Sequence, residues 1–127
     1  MYVIKTFTNG WLTSSRMSET PILPCIFGCE LEVDKLEHYV CCSTLWTLVG
    51  EGGHTPFDPN TMSVLDRLCL TNPSFDRFRA CGMACWLYHA LKIGERSKID
   101  ECVECGSFAG VRALALELMV ECPLKTS

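Results

Sequence analysis

Residues 24–42 read PCIFGCELEVDKLEHYVCC, and the use made of their cysteines decides what kind of fold this chain has. Four of the ten cysteines and one of the three histidines fall in this stretch. They are metal ligands, halves of disulfides, or small residues facing a core. Cys25 and Cys29 place two soft donors on either side of a turn, with Gly28 suited to the tight reversal between them. Val33–Leu48 reads as a helix, with Asp34 as N-cap and Leu36, Tyr39, Val40, Leu45 and Trp46 as its apolar faces. On that helix His38 and Cys42 stand four apart, on one face and one turn from each other. Two donors from a knuckle and two from a helix close a tetrahedron around zinc, and thiolate and imidazole are what structural zinc prefers. The expected ligands are therefore Cys25, Cys29, His38 and Cys42, with Cys41 as the alternative last donor. The competing reading makes the cysteines free core thiols and His38 a surface residue. Four protein ligands leave no open coordination position, so such a site is structural and not catalytic.

The rest of the composition agrees with a folded interior. A chain of 127 residues with 48% hydrophobic and 20% charged residues is globular, and too apolar for a disordered one. The net charge of −4, from eleven Lys and Arg against fifteen Asp and Glu, argues against a strong autonomous grip on phosphate backbones. Local basic groups remain, notably Arg77 and Arg79 close in sequence, and Lys92 further on. The opening MYVIKTFTNGW lacks a cationic segment followed by an apolar one, so no secretory signal is read there. No stretch reaches the roughly 18 uninterrupted apolar residues of a membrane span. An intracellular, reducing compartment follows as the expectation, and it favours thiolate ligands and free thiols over disulfides.

Beyond the knuckle the pattern is helical. The helix from Val33 is expected to stop at Gly50-Glu51-Gly52-Gly53. That run lacks the lysine of a phosphate-cradling loop. A short amphipathic helix is expected over Thr61–Leu70, with Met62, Leu65, Leu68 and Cys69 on one side. Ser74 caps a longer helix over Phe75–Ile93, with Gly94 as its stop. Its second half, ACGMACWLYHALKI, is apolar nearly all round, the mark of a central buried helix. Glu95–Glu101 reads as a polar link, and Ser107–Glu121 as the last helix. Strand signals are weak and confined to the first thirty residues. The chain divides into a zinc-binding knuckle and helix module over 1–50 and a helical part over 51–127. The fold class is mostly α: a small zinc-stabilised knuckle-plus-helix module packed with a three-helix bundle-like C-terminal part.

A second set of donors recurs in the helical part. Cys81, Cys85 and His89 are spaced four apart along the buried helix, and Cys102 and Cys105 form a Cys-x2-Cys pair. A second zinc site built from Cys81, Cys85, Cys102 and Cys105 is the functional reading. The rival reading, and the favoured one, makes Cys81 and Cys85 small core residues and His89 a buried or edge histidine. No Cys–His–Asn/Asp grouping carries a recognisable catalytic signature. Trp11, Trp46 and Trp86 offer stacking surfaces for bases, but large aromatics more often anchor cores.

The stretch NGWLTSSRMSETPILPCIFGCELEVDKLEHYVCCSTLW, residues 9–46, resembles the zinc-binding region downstream of the polymerase in non-LTR retrotransposon reverse transcriptases. The residues carrying the resemblance are Trp11, Thr13, Ser15, Arg16, Cys25, Gly28, Cys29, Asp34, Leu36, His38, Tyr39, Cys42 and Trp46. More weakly, it extends over the helix Phe78–Ile93. The resemblance implies a zinc-stabilised module that helps engage template nucleic acid, with Arg16, Arg77, Arg79 and Lys92 as basic contacts. No Tyr-x-Asp-Asp polymerase motif occurs in the chain. Together these readings describe a non-catalytic zinc module acting through protein partners in a larger assembly. The alternative is a module that contacts nucleic acid.

Overall fold

The computed structural model describes residues 24–124 apart from 31, 56 and 68–73. Within them lie α1 (Leu36–Tyr39), α2 (Ser43–Gly52), α3 (Val64–Arg67), α4 (Phe75–His89), α5 (Arg96–Cys105) and α6 (Phe108–Met119). A 3-10 turn, Pro59–Thr61, precedes α3, and a π-helical turn, Ala90–Gly94, extends α4. Among the described residues, extended pairing is limited to one antiparallel bridge between Pro24 and Val33. The fold is mostly α, as its apolar periodicity predicts.

Ser74 starts the central helix as expected. Its backbone is extended and its hydroxyl oxygen accepts the Arg77 N–H at 3.2 Å, satisfying an amide that the first turn leaves without a helical partner. Ala80, Cys81, Met83, Ala84, Cys85, Leu87 and Tyr88 of α4 are all buried. α2 lays Leu45, Trp46, Leu48 and Val49 into the same core, and α6 adds Val111, Ala115 and Met119. The glycines after Val49 do more than end a helix. A Cβ on Gly52 would sit 2.7 Å from Met119 Cβ, and one on Gly53 would sit 2.6 Å from Met83 Sδ. Their bareness lets α2 approach α6 and α4 closely. α2 lies against both α4 and α6, so the helix of the zinc-binding part packs onto the helical part.

Four sequence expectations need correction. The helix expected over Val33–Leu48 is two helices, broken between Tyr39 and Ser43. The helix expected over Thr61–Leu70 is the 3-10 turn followed by α3; Leu65 is exposed, and Leu68 and Cys69 lie outside the described residues. The helix expected to run to Ile93 is α-helical only to His89. Within the π turn Leu91 and Lys92 are buried while Ile93 is exposed. The link expected over Glu95–Glu101 is part of α5, which buries Ile99 fully and Cys102 and Val103 partly. Ile99, Cys102 and Val103 stand three and four apart, a short helical stripe within an otherwise polar segment. α5 ends in a Schellman arrangement: Ser107 N–H donates to Cys102 O at 2.8 Å and Gly106 N–H to Val103 O at 3.2 Å, with Gly106 left-handed at φ 71°.

Asp34, expected as the N-cap of the first helix, is fully buried. Its Oδ1 accepts the hydroxyls of Tyr39 at 2.6 Å and Tyr88 at 2.8 Å, and its Oδ2 pairs with Lys92 Nζ at 2.6 Å. The Tyr39 and Tyr88 rings stand 4.8 Å apart. This network ties the turn before α1 to α4 and its π-helical extension. Burial, and next the neighbouring Asp34 carboxylate, hold the Tyr39 hydroxyl well above its ordinary pKa, so it stays a donor.

Candidate metal centre

The knuckle is a short loop closed by backbone bonds. Cys25 N–H donates to Glu32 O at 3.1 Å, and Gly28 N–H donates back to Cys25 O at 3.0 Å. Gly28 has φ 86°, a left-handed conformation that side-chain-bearing residues avoid. Phe108 covers it so closely that a Cβ there would meet Phe108 Cβ at 2.7 Å. The turn throws the Cys25 and Cys29 sulfurs to one side.

His38 comes from α1 and Cys42 from just before α2. Cys42 is in the N-cap position with an extended backbone, φ −67° and ψ 105°, and its sulfur makes no capping bond. The expected face of one continuous helix is thus replaced by a helix end and a helix start, and the donors still converge. The ligand atoms of Cys25, Cys29, His38 and Cys42 all lie within 4.8 Å of one another. His38 Nε2 is 3.2 Å from Cys25 Sγ, and Cys29 Sγ is 3.6 Å from Cys42 Sγ. With zinc–sulfur bonds of about 2.3 Å, a tetrahedron has sulfur–sulfur edges of about 3.7 Å, close to these separations. Three thiols and an imidazole, with Cys25 and Cys42 buried, form a donor set that fits a soft or borderline divalent ion.

The sulfurs share their protons unequally. A hydrogen bond from Cys42, above all, brings the Cys25 thiol down to about 5 from an ordinary 9.0, against the effect of its burial. That same bond, and then burial, push Cys42 up. Burial, followed by the charge on Cys25, raises Cys29. Glu32 places Oε2 3.5 Å from His38 Nδ1. This leaves Nε2 to face the sulfurs, the orientation that carboxylates give to metal-bound histidines.

The remaining candidates are dispersed. Cys41, the alternative to Cys42, is exposed and lies outside the group. The second set does not assemble: among the described residues Cys81, Cys85, Cys102 and Cys105 form no ligand group. Cys81 and Cys85 are buried on α4, Cys102 is half-buried, and Cys105 is exposed on α5. Burial in apolar surroundings raises the Cys85 thiol to about 11, which suits a packed thiol. His89 is exposed. Lys92, expected as a nucleic-acid contact, is buried against Asp34 and cannot reach a phosphate. Arg77 lies 3.7 Å from Asp66, and Arg79 lies 3.8 Å from Asp76 and over the Phe75 ring. Arg16 and Trp11 lie outside the described residues. Trp46 is buried in the core, and Trp86 is half-buried against it.

Comparison of the chain with known protein families, curated proteins and solved structures found no match. Among the described residues, no helix is long and apolar enough to cross a membrane.

Proposed function

We propose that this protein is a non-catalytic module organised by one structural zinc ion on Cys25, Cys29, His38 and Cys42, and that it serves as an interaction subunit or scaffold in a larger assembly. The observation that carries the reading is the convergence of these four donors within 4.8 Å. Zinc is the ion that best suits three thiolates and an imidazole, and four protein ligands leave it no open position for a substrate or an activated water. Its role is then to join the knuckle to the segment between α1 and α2.

The experiment is metal analysis of the purified protein, followed by thermal melts with and without excess chelator. One zinc per chain and a steep loss of melting temperature on chelation are expected, because metal binding to such sites is worth on the order of 10 kcal/mol of folding energy. A metal-free protein whose melt ignores chelator overturns the proposal.

A nucleic-acid-contacting role is the second reading. In its favour, the four clustered donors are among the residues that carry the resemblance over residues 9–46. A gel shift that weakens steeply with salt supports it, and no shift at low salt removes it.

A further inference from the structure

The interruption between α1 and α2 lies between two of the four candidate ligands, His38 and Cys42. In an unbroken helix the carbonyls of Tyr39 and Val40 would accept the N–H groups of Ser43 and Thr44. Here side chains claim both. Trp46 Nε1 donates to Tyr39 O at 3.0 Å, and Arg67 Nη1 donates to Val40 O at 2.8 Å. The two side chains form one unit, because the Arg67 guanidinium carbon stands 5.3 Å from the Trp46 ring centroid.

Arg67 is itself fixed. It is only 7% exposed, and its Nε donates to Pro59 O at 3.3 Å while Nη2 approaches Asn60 Oδ1 at 3.5 Å. Asn60 Nδ2 in turn donates to Thr47 Oγ1 at 2.7 Å on α2. The guanidinium thus spans the 3-10 turn, α2 and the carbonyl two residues before Cys42. A buried cation needs a reason to be there. Three thiolates, a neutral imidazole and a divalent ion would leave the centre with one net negative charge, and Arg67 would offset it.

We propose that Arg67, stacked on Trp46, is a positioning residue for the metal centre: by holding the Val40 carbonyl it keeps the helix open between His38 and Cys42 and presents the Cys42 sulfur to the other three donors. This inference rests on the metal reading above. It extends that reading by giving a residue distant in sequence, and outside the ligand set, a defined part in metal binding.

The test uses the full chain, cobalt(II) as a spectroscopic stand-in for zinc, and the variants Arg67→Met and Arg67→Lys. The wild type should show the thiolate-to-cobalt charge-transfer band of a three-sulfur site. Arg67→Met should lose the share of one sulfur and bind zinc roughly 10–100-fold more weakly in competition with a chelator, the range seen when outer-shell partners of metal ligands are removed. Arg67→Lys keeps the charge but not the planar fork, and should fall between. A merely structural role would lower the melting temperature while leaving the band and the affinity of the folded protein unchanged; that result overturns the inference. If Arg67→Met fails to fold in excess zinc, Arg67→Lys decides by the same two readouts. Failure of both to fold in excess zinc also counts against a positioning role. A wild type that takes up no cobalt and no zinc sinks the metal reading itself, which is distinct from variants that bind as the wild type does.

Discussion

Replacing Lys92 by Met tests how the turn before α1 is held to the end of the central helix. Lys92 Nζ lies 2.6 Å from Asp34 Oδ2, with the two side chains 1% and 0% exposed. Methionine fills much of the same volume, so packing changes little and the perturbation is electrostatic. Breaking a buried pair by removing one partner typically costs about 3–5 kcal/mol, because the other charge is left uncompensated in a poorly polarisable interior. Asp34 retains the Tyr39 and Tyr88 hydroxyls, which favours the lower end, about 3 kcal/mol. A domain of this size has a total stability of about 5–15 kcal/mol, so the loss is large. With a urea slope of about 1.5 kcal/mol/M, the unfolding midpoint should fall by about 2 M in zinc-saturated buffer. The double variant Asp34→Asn/Lys92→Met removes both charges and keeps an acceptor for the tyrosines, and should be more stable than Lys92→Met alone. A midpoint unmoved by Lys92→Met would refute the reasoning, as would a double variant less stable than the single one.

Three further perturbations probe other parts of the molecule. Gly28→Ala should destabilise by at least about 1–2 kcal/mol from its left-handed backbone, with the Phe108 contact adding to that; equal denaturation midpoints for variant and wild type would contradict the turn described here. Glu32→Gln should weaken zinc binding modestly in a chelator competition while leaving the metal-to-protein ratio at one, because the half-exposed Glu32 orients His38 without being a ligand. The Cys85 thiol is raised to about 11 in the folded state from 9.0, so its contribution to stability is fully present below pH 9 and is lost as the pH rises through 11. The unfolding free energy measured in urea should therefore drop between pH 9 and 11, by up to about 2–3 kcal/mol from this group. Cys85→Ala should flatten that drop, and an identical slope in the variant would assign the alkaline loss elsewhere.

The candidate ligands were legible in the chain because metal chemistry restricts both residue type and spacing. A Cys-x3-Cys pair around Gly28 and a His–Cys pair four apart are local patterns, and Cys25, Cys29, His38 and Cys42 do converge. The helical class and the Ser74 cap were legible for the same reason, since apolar period and capping chemistry act within a few residues. The second cysteine set shows the limit of spacing. Cys81 and Cys85 have a helical repeat, but the repeat places them in the core, and Cys102 and Cys105 sit on another helix that does not bring its sulfurs to them.

By itself, then, the sequence determined a helical protein with four soft donors near its knuckle, because those features depend on neighbours along the chain. The tertiary structure alone decided where the first helix breaks, why Asp34 and Lys92 are buried, and what Arg67 does. At the break Trp46 and Arg67 take two backbone carbonyls, the second from 27 residues away, and the Asp34–Lys92 pair joins positions 58 residues apart. No local propensity encodes such contacts. A buried charge is stable only where its partner is delivered by the fold, so its burial is fixed by packing and not by the residues beside it in sequence.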